Sequence, residues 1–205
     1  YTMNVLNEES IQAFAEAVEK AVGDEAVAGI IITSEKDTFG AGADLKMIKS
    51  LLNQQNLDIK TSFENARKLN RLFRSYETSG KPVVAGINGT ALGGFYEICL
   101  ACHYRVAVNN PKSKIGLPES QVGLIPGAGG TQRVPRMIGI EAAAPLLLEG
   151  KSLAPEKALK AGLVDEVVAD KAQMMAAAKK FIAENKFIIQ PWDEKNRKGK
   201  IVGKK

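Results

Sequence analysis

The segment 81–101 constrains the fold of this chain more than any other. Its first part, KPVVAGINGTA, is apolar and rich in β-branched residues, which is typical of a buried strand. Gly93 and Gly94 follow closely, and the apolar stretch FYEICLA after them predicts a buried helix. A buried strand that leads through two glycines into a helix indicates an α/β fold with mainly parallel sheet.

The same alternation of apolar strands and amphipathic helices continues along the chain. Further strands are predicted at 26–33, 105–110 and 162–168, the first of them buried on both faces. Helices are predicted at 7–22, 60–78, 135–149, 155–161 and 170–185. We therefore expect one α/β domain over residues 1–186, without an internal boundary.

Residues 187–205 are expected to form a basic tail or linker, because the periodic pattern stops there. The net charge of +5 is concentrated in this part of the chain. The alternative is a basic edge that attracts a phosphorylated ligand or nucleic acid. Aromatic residues make up only 6% of the chain and are not interleaved with the basic ones, so no nucleic-acid partner is expected.

Several other protein classes are excluded by simple patterns. No apolar run reaches the roughly 20 residues of a membrane span, so no span is expected. The first ten residues lack the regions of a signal peptide, and the absence of an initial Met leads us to expect that the natural chain begins upstream. Cys99, Cys102 and His103 have the spacing of a haem attachment site, but in an apolar helix we expect core residues, with no haem, disulfide or metal.

Three segments carry residues suited to chemistry. In FGAGADL, residues 40–43 are small, so a ligand oxygen can approach their backbone N–H groups, although a tight turn would look the same. In NGTALGGFYE, the N–H groups at a helix start can hold an anionic oxygen. Glu97 follows about one turn after Gly94, where a capping carboxylate is the alternative.

The third segment, IGLPESQVGLIPGAGGTQR, places Glu119 after Pro118 in an unusually glycine-rich stretch. Gln132 stands where the dinucleotide fingerprint needs its last glycine, and no phosphate-binding lysine is present, so neither an NAD nor an ATP site is expected. Two N–H donors and two carboxylates together suit acid–base chemistry beside a carbonyl that gains negative charge. Spacing by itself does not establish that the three segments meet.

These segments, in this order and spacing, resemble the crotonase (enoyl-CoA hydratase/isomerase) superfamily from about residue 3 to residue 168. The resemblance implies a spiral of ββα units, assembled as a homotrimer or hexamer. It implies an oxyanion hole made by the N–H groups of Ala43 and Gly94, with Glu97 and Glu119 as the catalytic pair. It also implies a set of residues that contact the CoA thioester or support the loop around it: Ala41, Gly42, Asp44, Leu45, Gly93 and Pro118.

Both ends of the chain are similar to the hydratase/isomerase part of multifunctional fatty-acid oxidation alpha subunits. We therefore expect hydration of 2-enoyl-CoA in fatty-acid β-oxidation, with Δ3-Δ2 isomerisation as a second activity and no cofactor beside the CoA thioester substrate. An isomerase alone, or a non-catalytic acyl-CoA-binding protein, are the alternatives. The expected location is the bacterial cytoplasm, or the mitochondrial matrix in a eukaryote, with a thiolase subunit as partner in a multifunctional enzyme.

Two departures from the family pattern stand out. Phe95 replaces the third glycine of the family's turn, and a bulky ring there is expected either to narrow the acyl pocket or to move the helix start. The C-terminal helical module of stand-alone hydratases is shortened, which affects the expected trimer contacts. Residues 49–62 are polar and predict no acyl chain length.

Overall fold

The computed structural model describes residues 3–44 and 58–194, so the predicted site residue Leu45 lies outside the described residues. In these ranges the helices are α1 (Glu8–Gly23), α2 (Ile59–Glu77), α3 (Gly94–Ala101), α4 (Gly130–Ile138), α5 (Ile140–Leu148), α6 (Pro155–Lys160) and α7 (Lys171–Glu184). The strands are β1 (Ile30–Thr33), β2 (Val83–Ile87), β3 (Ala91–Leu92), β4 (Tyr104–Val108), β5 (Ile115–Gly116), β6 (Ser152–Leu153) and β7 (Glu166–Val168). Short 3-10 helices lie at Pro118–Val122 and Pro191–Asp193.

The strands form two sheets. The larger has the order β1-β2-β4-β7, and all of its pairings are parallel. The smaller has the order β3-β5-β6, with β3 and β5 parallel and β5 and β6 antiparallel. The predicted α/β fold with mainly parallel sheet is therefore confirmed.

Strand β2 lies at the centre of the core, and every one of its residues is buried. Because side chains alternate across a strand, Val83, Ala85 and Ile87 pack into the main core. Val84 points to the opposite face, where it meets Met174 and Ala178 of α7. Because both faces of β2 are covered by packed side chains, its sequence is almost continuously apolar.

Three predicted elements differ from the structure, and the first is the strand predicted at 162–168, of which only β7 at Glu166–Val168 forms. Strand β1 begins at Ile30 instead of residue 26, and it is half-buried because it forms an edge of its sheet and pairs with β2 on one side. Ile30 and Ile32 pack on the main core and Ile31 packs on the cluster of Val84 and Met174, so both faces of β1 are covered as predicted, but only in part. The predicted helix 135–149 is two helices, because Gly139 between them has a φ of 85°, outside the helical region.

The described part of the predicted tail, residues 187–194, packs on the domain. The backbone N–H of Ile188 donates to Gly80 O at 3.0 Å, and the buried Gln190 donates its amide N–H to Cys102 O at 3.1 Å. Asp193 forms an ion pair with Arg74 at 2.9 Å. These contacts use backbone groups and polar side chains, which a hydrophobic pattern does not detect.

The prediction that Cys99 and Cys102 fill the core is confirmed, since both are fully buried free thiols. Burial raises the pKa of the Cys102 thiol to about 12, and that of Cys99 well above its ordinary value. No helix in the described ranges has both the length and the apolar character that crossing a membrane requires.

Candidate active site

The small sheet brings the second and third predicted segments together. Strand β3 leads into the turn before α3, and β5 leads through Leu117 into the 3-10 helix that carries Glu119. Because β3 and β5 are paired, the N–H of Gly93 donates to Gly116 O at 3.0 Å. A Cβ at Gly93 would lie 3.1 Å from Glu119 Oε1, so this carboxyl group packs against the start of α3.

The first predicted segment, the loop at residues 40–44, lies beside the same turn. On one side, Leu6 donates its N–H to Gly42 O at 2.9 Å and accepts from the N–H of Asp44 at 3.0 Å. On the other side, Gly40 forms a parallel bridge to strand β3. The loop is therefore held between the N-terminal segment and the small sheet by backbone hydrogen bonds.

This loop and the turn before α3 are in van der Waals contact. A Cβ at Gly93 would lie 3.4 Å from the Cα of Gly42, and the φ of 57° at Gly93 favours glycine. Ala43 follows Gly42 in the loop, and Gly94 follows Gly93 in the turn. Neither of their N–H groups donates a hydrogen bond to another described residue, and Gly94 stands at the helix start where such donors are expected.

Glu97 is a buried carboxyl group that accepts two backbone hydrogen bonds. Its Oε1 accepts from the N–H groups of Ala128 and Gly130, both at 2.8 Å, and the residue is only 2% exposed. Burial raises the pKa of Glu97 to about 7, the two N–H donors oppose this rise, and the negative charge of Glu119 adds to it. A carboxyl group with this pKa is suited to exchange protons near neutral pH.

Glu119 is the less enclosed of the two carboxyl groups. Burial raises its pKa as well. Its Oε2 is buried and has no hydrogen-bond partner among the described residues. A buried polar atom without a partner is uncommon in proteins, and here it belongs to a carboxyl group that packs against Gly93 at the start of α3. The arrangement offers acceptors and donors to a polar ligand in one small region.

Comparison with known proteins shows the family to which the chain belongs. A family model described as enoyl-CoA hydratase/isomerase matches residues 1–188. The chain belongs to the enoyl-CoA hydratase/isomerase family. The predicted resemblance to the crotonase superfamily is thus confirmed.

Relatives of this chain include subunits of larger proteins. It is 41% identical over 187 residues to the fatty acid oxidation complex subunit alpha of Shewanella loihica, covering 89% of this chain and 25% of that protein. The corresponding subunit of Shewanella amazonensis is 39% identical over 211 residues, covering 99% of this chain and 29% of that protein. The chain thus spans about a quarter of the length of these relatives.

A solved structure in the family has the same fold. The enoyl-CoA hydratase from Thermoplasma volcanium superposes with a TM-score of 0.80 at 32% identity, covering 90% of this chain and 71% of that one. The predicted crotonase-like fold is therefore confirmed.

The remaining predicted residues occupy the same region. Ala41 donates its backbone N–H to Asn4 O at 3.0 Å, and the N–H of Asp44 helps to hold the loop on Leu6. Pro118 is the first residue of the 3-10 helix that presents Glu119. Apart from Leu45, each predicted residue lies in the two loops or in the elements next to them.

Sequence reasoning missed the N–H donors to Glu97. The glycine-rich string GAGG indicates close backbone approach, but the pattern does not say which atom the backbone approaches. In the structure, Ala128 and Gly130 direct their N–H groups to Glu97 Oε1. Leu6 was missed as well: a Cβ at Gly94 would lie 2.6 Å from its Cδ1, so Leu6 packs tightly beneath the helix start.

Phe95, the departure from the family's glycine, supports the loop. Helix α3 still begins at Gly94, so the expectation of a shifted helix start was wrong. The ring of Phe95 meets Phe39 edge to face with centroids 6.1 Å apart, and a Cβ at Gly40 would collide with it. Only glycine can occupy position 40 under this ring.

We expect Phe95→Ala to disturb the loop more than the core. Removing the half-buried ring should lower the free energy of unfolding by about 2 kcal/mol and kcat by about tenfold, because the backbone at Gly40 loses its packing partner. Urea unfolding and steady-state kinetics measure the two effects. Phe14→Ala is the matched control, since Phe14 has a comparable edge contact with Tyr76 at 6.1 Å; an equal loss of kcat there would contradict a local role for Phe95.

The raised pKa of Glu97 makes a prediction about stability. A carboxyl group with a folded-state pKa of about 7 stabilises the fold fully below its ordinary value of 4.5, and that contribution is lost as pH rises through 7. Glu97→Gln removes this dependence. We therefore expect the variant to gain up to about 3 kcal/mol over the parent protein between pH 5 and pH 8. Urea unfolding at both pH values measures the difference in free energy of unfolding between the variant and the parent protein. If that difference were the same at pH 5 and pH 8, Glu97 would not have a raised pKa.

Proposed function

We propose that this chain adds water across the 2,3 double bond of 2-enoyl-CoA thioesters. The observation that carries the proposal is the position of two carboxyl groups, the buried Glu97 and the half-buried Glu119, at a helix start whose N–H donor at Gly94 bonds to no other described residue. A binding protein would have no use for two carboxyl groups whose pKa values are raised by burial.

In this proposal the thioester oxygen accepts hydrogen bonds from the N–H groups of Ala43 and Gly94. These donors stabilise the negative charge that the oxygen gains as a bond forms at C3, an effect of roughly 3 kcal/mol for each donor in well-studied enzymes. The N-terminus of α3 adds its positive dipole end to the same oxygen. Glu97 lies one turn further along this helix.

Glu97 is the base in this scheme, because two N–H donors favour its ionised form. Glu97 takes a proton from water while the water oxygen bonds to C3 and the π electrons move to the thioester oxygen. Glu119, whose pKa is also raised by burial, acts as the acid and gives a proton to C2. The product is a 3-hydroxyacyl thioester, and proton exchange with solvent restores both carboxyl groups.

The same residues can support Δ3-Δ2 isomerisation as a second activity. One carboxylate removes a proton from C2 of a 3-enoyl thioester, the N–H pair holds the dienolate oxygen, and a proton is delivered to C4 as the double bond moves to C2–C3. Water is not consumed, and no cofactor takes part in either reaction as written.

We propose that these reactions belong to fatty-acid β-oxidation, because relatives of this chain carry the name of a fatty acid oxidation complex. Since that name describes an alpha subunit, a further subunit such as a thiolase is the proposed partner. A homotrimer or hexamer is the alternative assembly. The relatives are bacterial, so the bacterial cytoplasm is the proposed location.

The test uses the full chain with two substrates. With crotonyl-CoA we expect loss of the absorbance of the conjugated thioester as water adds. With a 3-enoyl-CoA we expect that absorbance to appear as the double bond moves. A protein active only on the 3-enoyl substrate would be an isomerase, and one that binds both without turnover would be a non-catalytic acyl-CoA-binding protein; either result refutes the hydratase proposal.

A further inference from the structure

Behind Glu97 lies a buried ion pair that the proposed reaction does not use. The Arg133 guanidinium donates through Nε to Glu77 Oε1 at 2.9 Å and through Nη2 to Glu77 Oε2 at 2.6 Å. Glu77 is fully buried and Arg133 is 5% exposed. This two-point geometry fixes the plane of the guanidinium, which a lysine could not reproduce.

The third nitrogen of Arg133 contacts the turn that holds Glu97. Nη1 of Arg133 donates to Ala128 O at 3.1 Å. The backbone N–H of Ala128 in turn donates to Glu97 Oε1 at 2.8 Å. A Cβ at Gly129 would collide with this guanidinium nitrogen, and the φ of Gly129 is 106°. The guanidinium therefore lies directly under the turn formed by residues 128–130.

The outer side of that turn is held by polar contacts and borders an open cleft. Gly129 and Arg133 line an open cleft of about 330 Å³, so apolar packing does not hold the turn from this side. Asn70 donates its amide N–H to Gly127 O at 2.9 Å, and the N–H groups of Gln132 and Arg133 donate to Gly129 O at 3.0 and 2.9 Å. The direction of the Ala128 and Gly130 N–H groups therefore depends on polar contacts to the outer side of the turn.

We propose that Arg133, oriented by Glu77, is a positioning residue that aims the N–H groups of Ala128 and Gly130 at the carboxylate of Glu97. The effect on turnover rests on the proposed function of Glu97 as the base, whereas the effect on the geometry of the turn does not. If the guanidinium is lost, the turn relaxes toward the cleft and Glu97 loses hydrogen bonds to its ionised form. The pKa of Glu97 then rises.

Two variants separate positioning from simple stabilisation. The double variant Glu77→Met/Arg133→Met replaces the pair by apolar side chains of similar length, an exchange that is often neutral for stability. Arg133→Lys keeps a charge beside Glu77 but cannot make both the two-point contact and the contact to Ala128 O. Asp193→Asn is the matched control, because it removes the neighbouring Arg74–Asp193 pair without touching the turn.

The readouts are the melting temperature, the Glu97 pKa from carboxyl ¹³C NMR, with its signal assigned through Glu97→Gln, and steady-state kinetics. In both test variants we expect the pKa of Glu97 to rise by about one unit. We also expect kcat to fall about 10- to 100-fold with little change in KM. Asp193→Asn should leave the pKa and kcat at parental values.

An unchanged Glu97 pKa in folded Arg133→Lys overturns the inference, even in an active hydratase. So does full activity with a parental pKa in the double variant. Conversely, a raised pKa supports positioning even where the parent protein shows no hydration of crotonyl-CoA. The inference and the proposed reaction therefore fail through different measurements, and Arg133→Lys remains informative if the double variant does not fold.

Discussion

Replacing Glu97 by Gln is expected to lower kcat for hydration of crotonyl-CoA by about 10³-fold, with a much smaller change in KM. The amide keeps the size of the side chain and can still accept hydrogen bonds from Ala128 and Gly130, but it cannot take a proton from water. Stopped-flow or steady-state loss of the enoyl absorbance measures the effect. Glu119→Gln should cause a loss of similar size, because the proton for C2 comes from that residue.

Glu149→Gln is the control for both substitutions. Glu149 pairs with Lys151 at the surface, where both side chains are more than half exposed, and it touches the 3-10 helix of Glu119 through its backbone O, which the substitution keeps. Parental kcat in this variant and a large loss in the two others would tie the effect to the site. If Glu97→Gln and Glu119→Gln both retained parental turnover, the two-carboxylate mechanism would be wrong.

Replacing Glu77 by Gln is expected to lower the free energy of unfolding by about 3–5 kcal/mol. The substitution leaves the buried Arg133 without its two-point partner and removes the contact between Glu77 and Arg74 at 2.7 Å. An uncompensated charge in the core is costly because the surrounding protein cannot solvate it as water does. Urea unfolding monitored by circular dichroism measures the change.

The exposed pair of Glu149 and Lys151 again supplies the control. Breaking that pair in Glu149→Gln should change the free energy of unfolding by less than about 1 kcal/mol, because solvent screens exposed charges. The double variant Glu77→Met/Arg133→Met should recover most of the stability that Glu77→Gln loses. If Glu77→Gln and Glu149→Gln lowered the free energy of unfolding equally, burial of the Glu77 pair would make no difference to stability.

Glu97 illustrates a conflict between stability and the proposed activity. Burial that raises its pKa to about 7 suits proton transfer, yet it makes the ionised side chain unfavourable for the fold at higher pH. The variant that abolishes the proposed activity is therefore the one whose stability relative to the parent protein is expected to rise between pH 5 and pH 8. Such opposition is common at functional sites.

Much of the fold could be predicted because the relevant patterns are local. The buried strand β2, the helix after Gly94 and the burial of Cys99 and Cys102 follow from apolar periodicity within a few residues. The extent to which strand β1 is buried has a cause that is not local. Strand β1 has the apolar composition of a central strand, but sheet order places it at an edge. Its partners, which lie far along the chain, decide its burial.

The amino-acid sequence alone determined the types and spacing of the site residues, including the two glutamates and the glycines before them. Only the tertiary structure decided that they converge: the pairing of β3 with β5 sets Glu119 against Gly93, and the 128–130 turn directs two N–H groups at Glu97. The physical reason is that periodicity and turn chemistry act over a few residues. Strand register and the direction of a backbone N–H depend on contacts between residues distant along the chain.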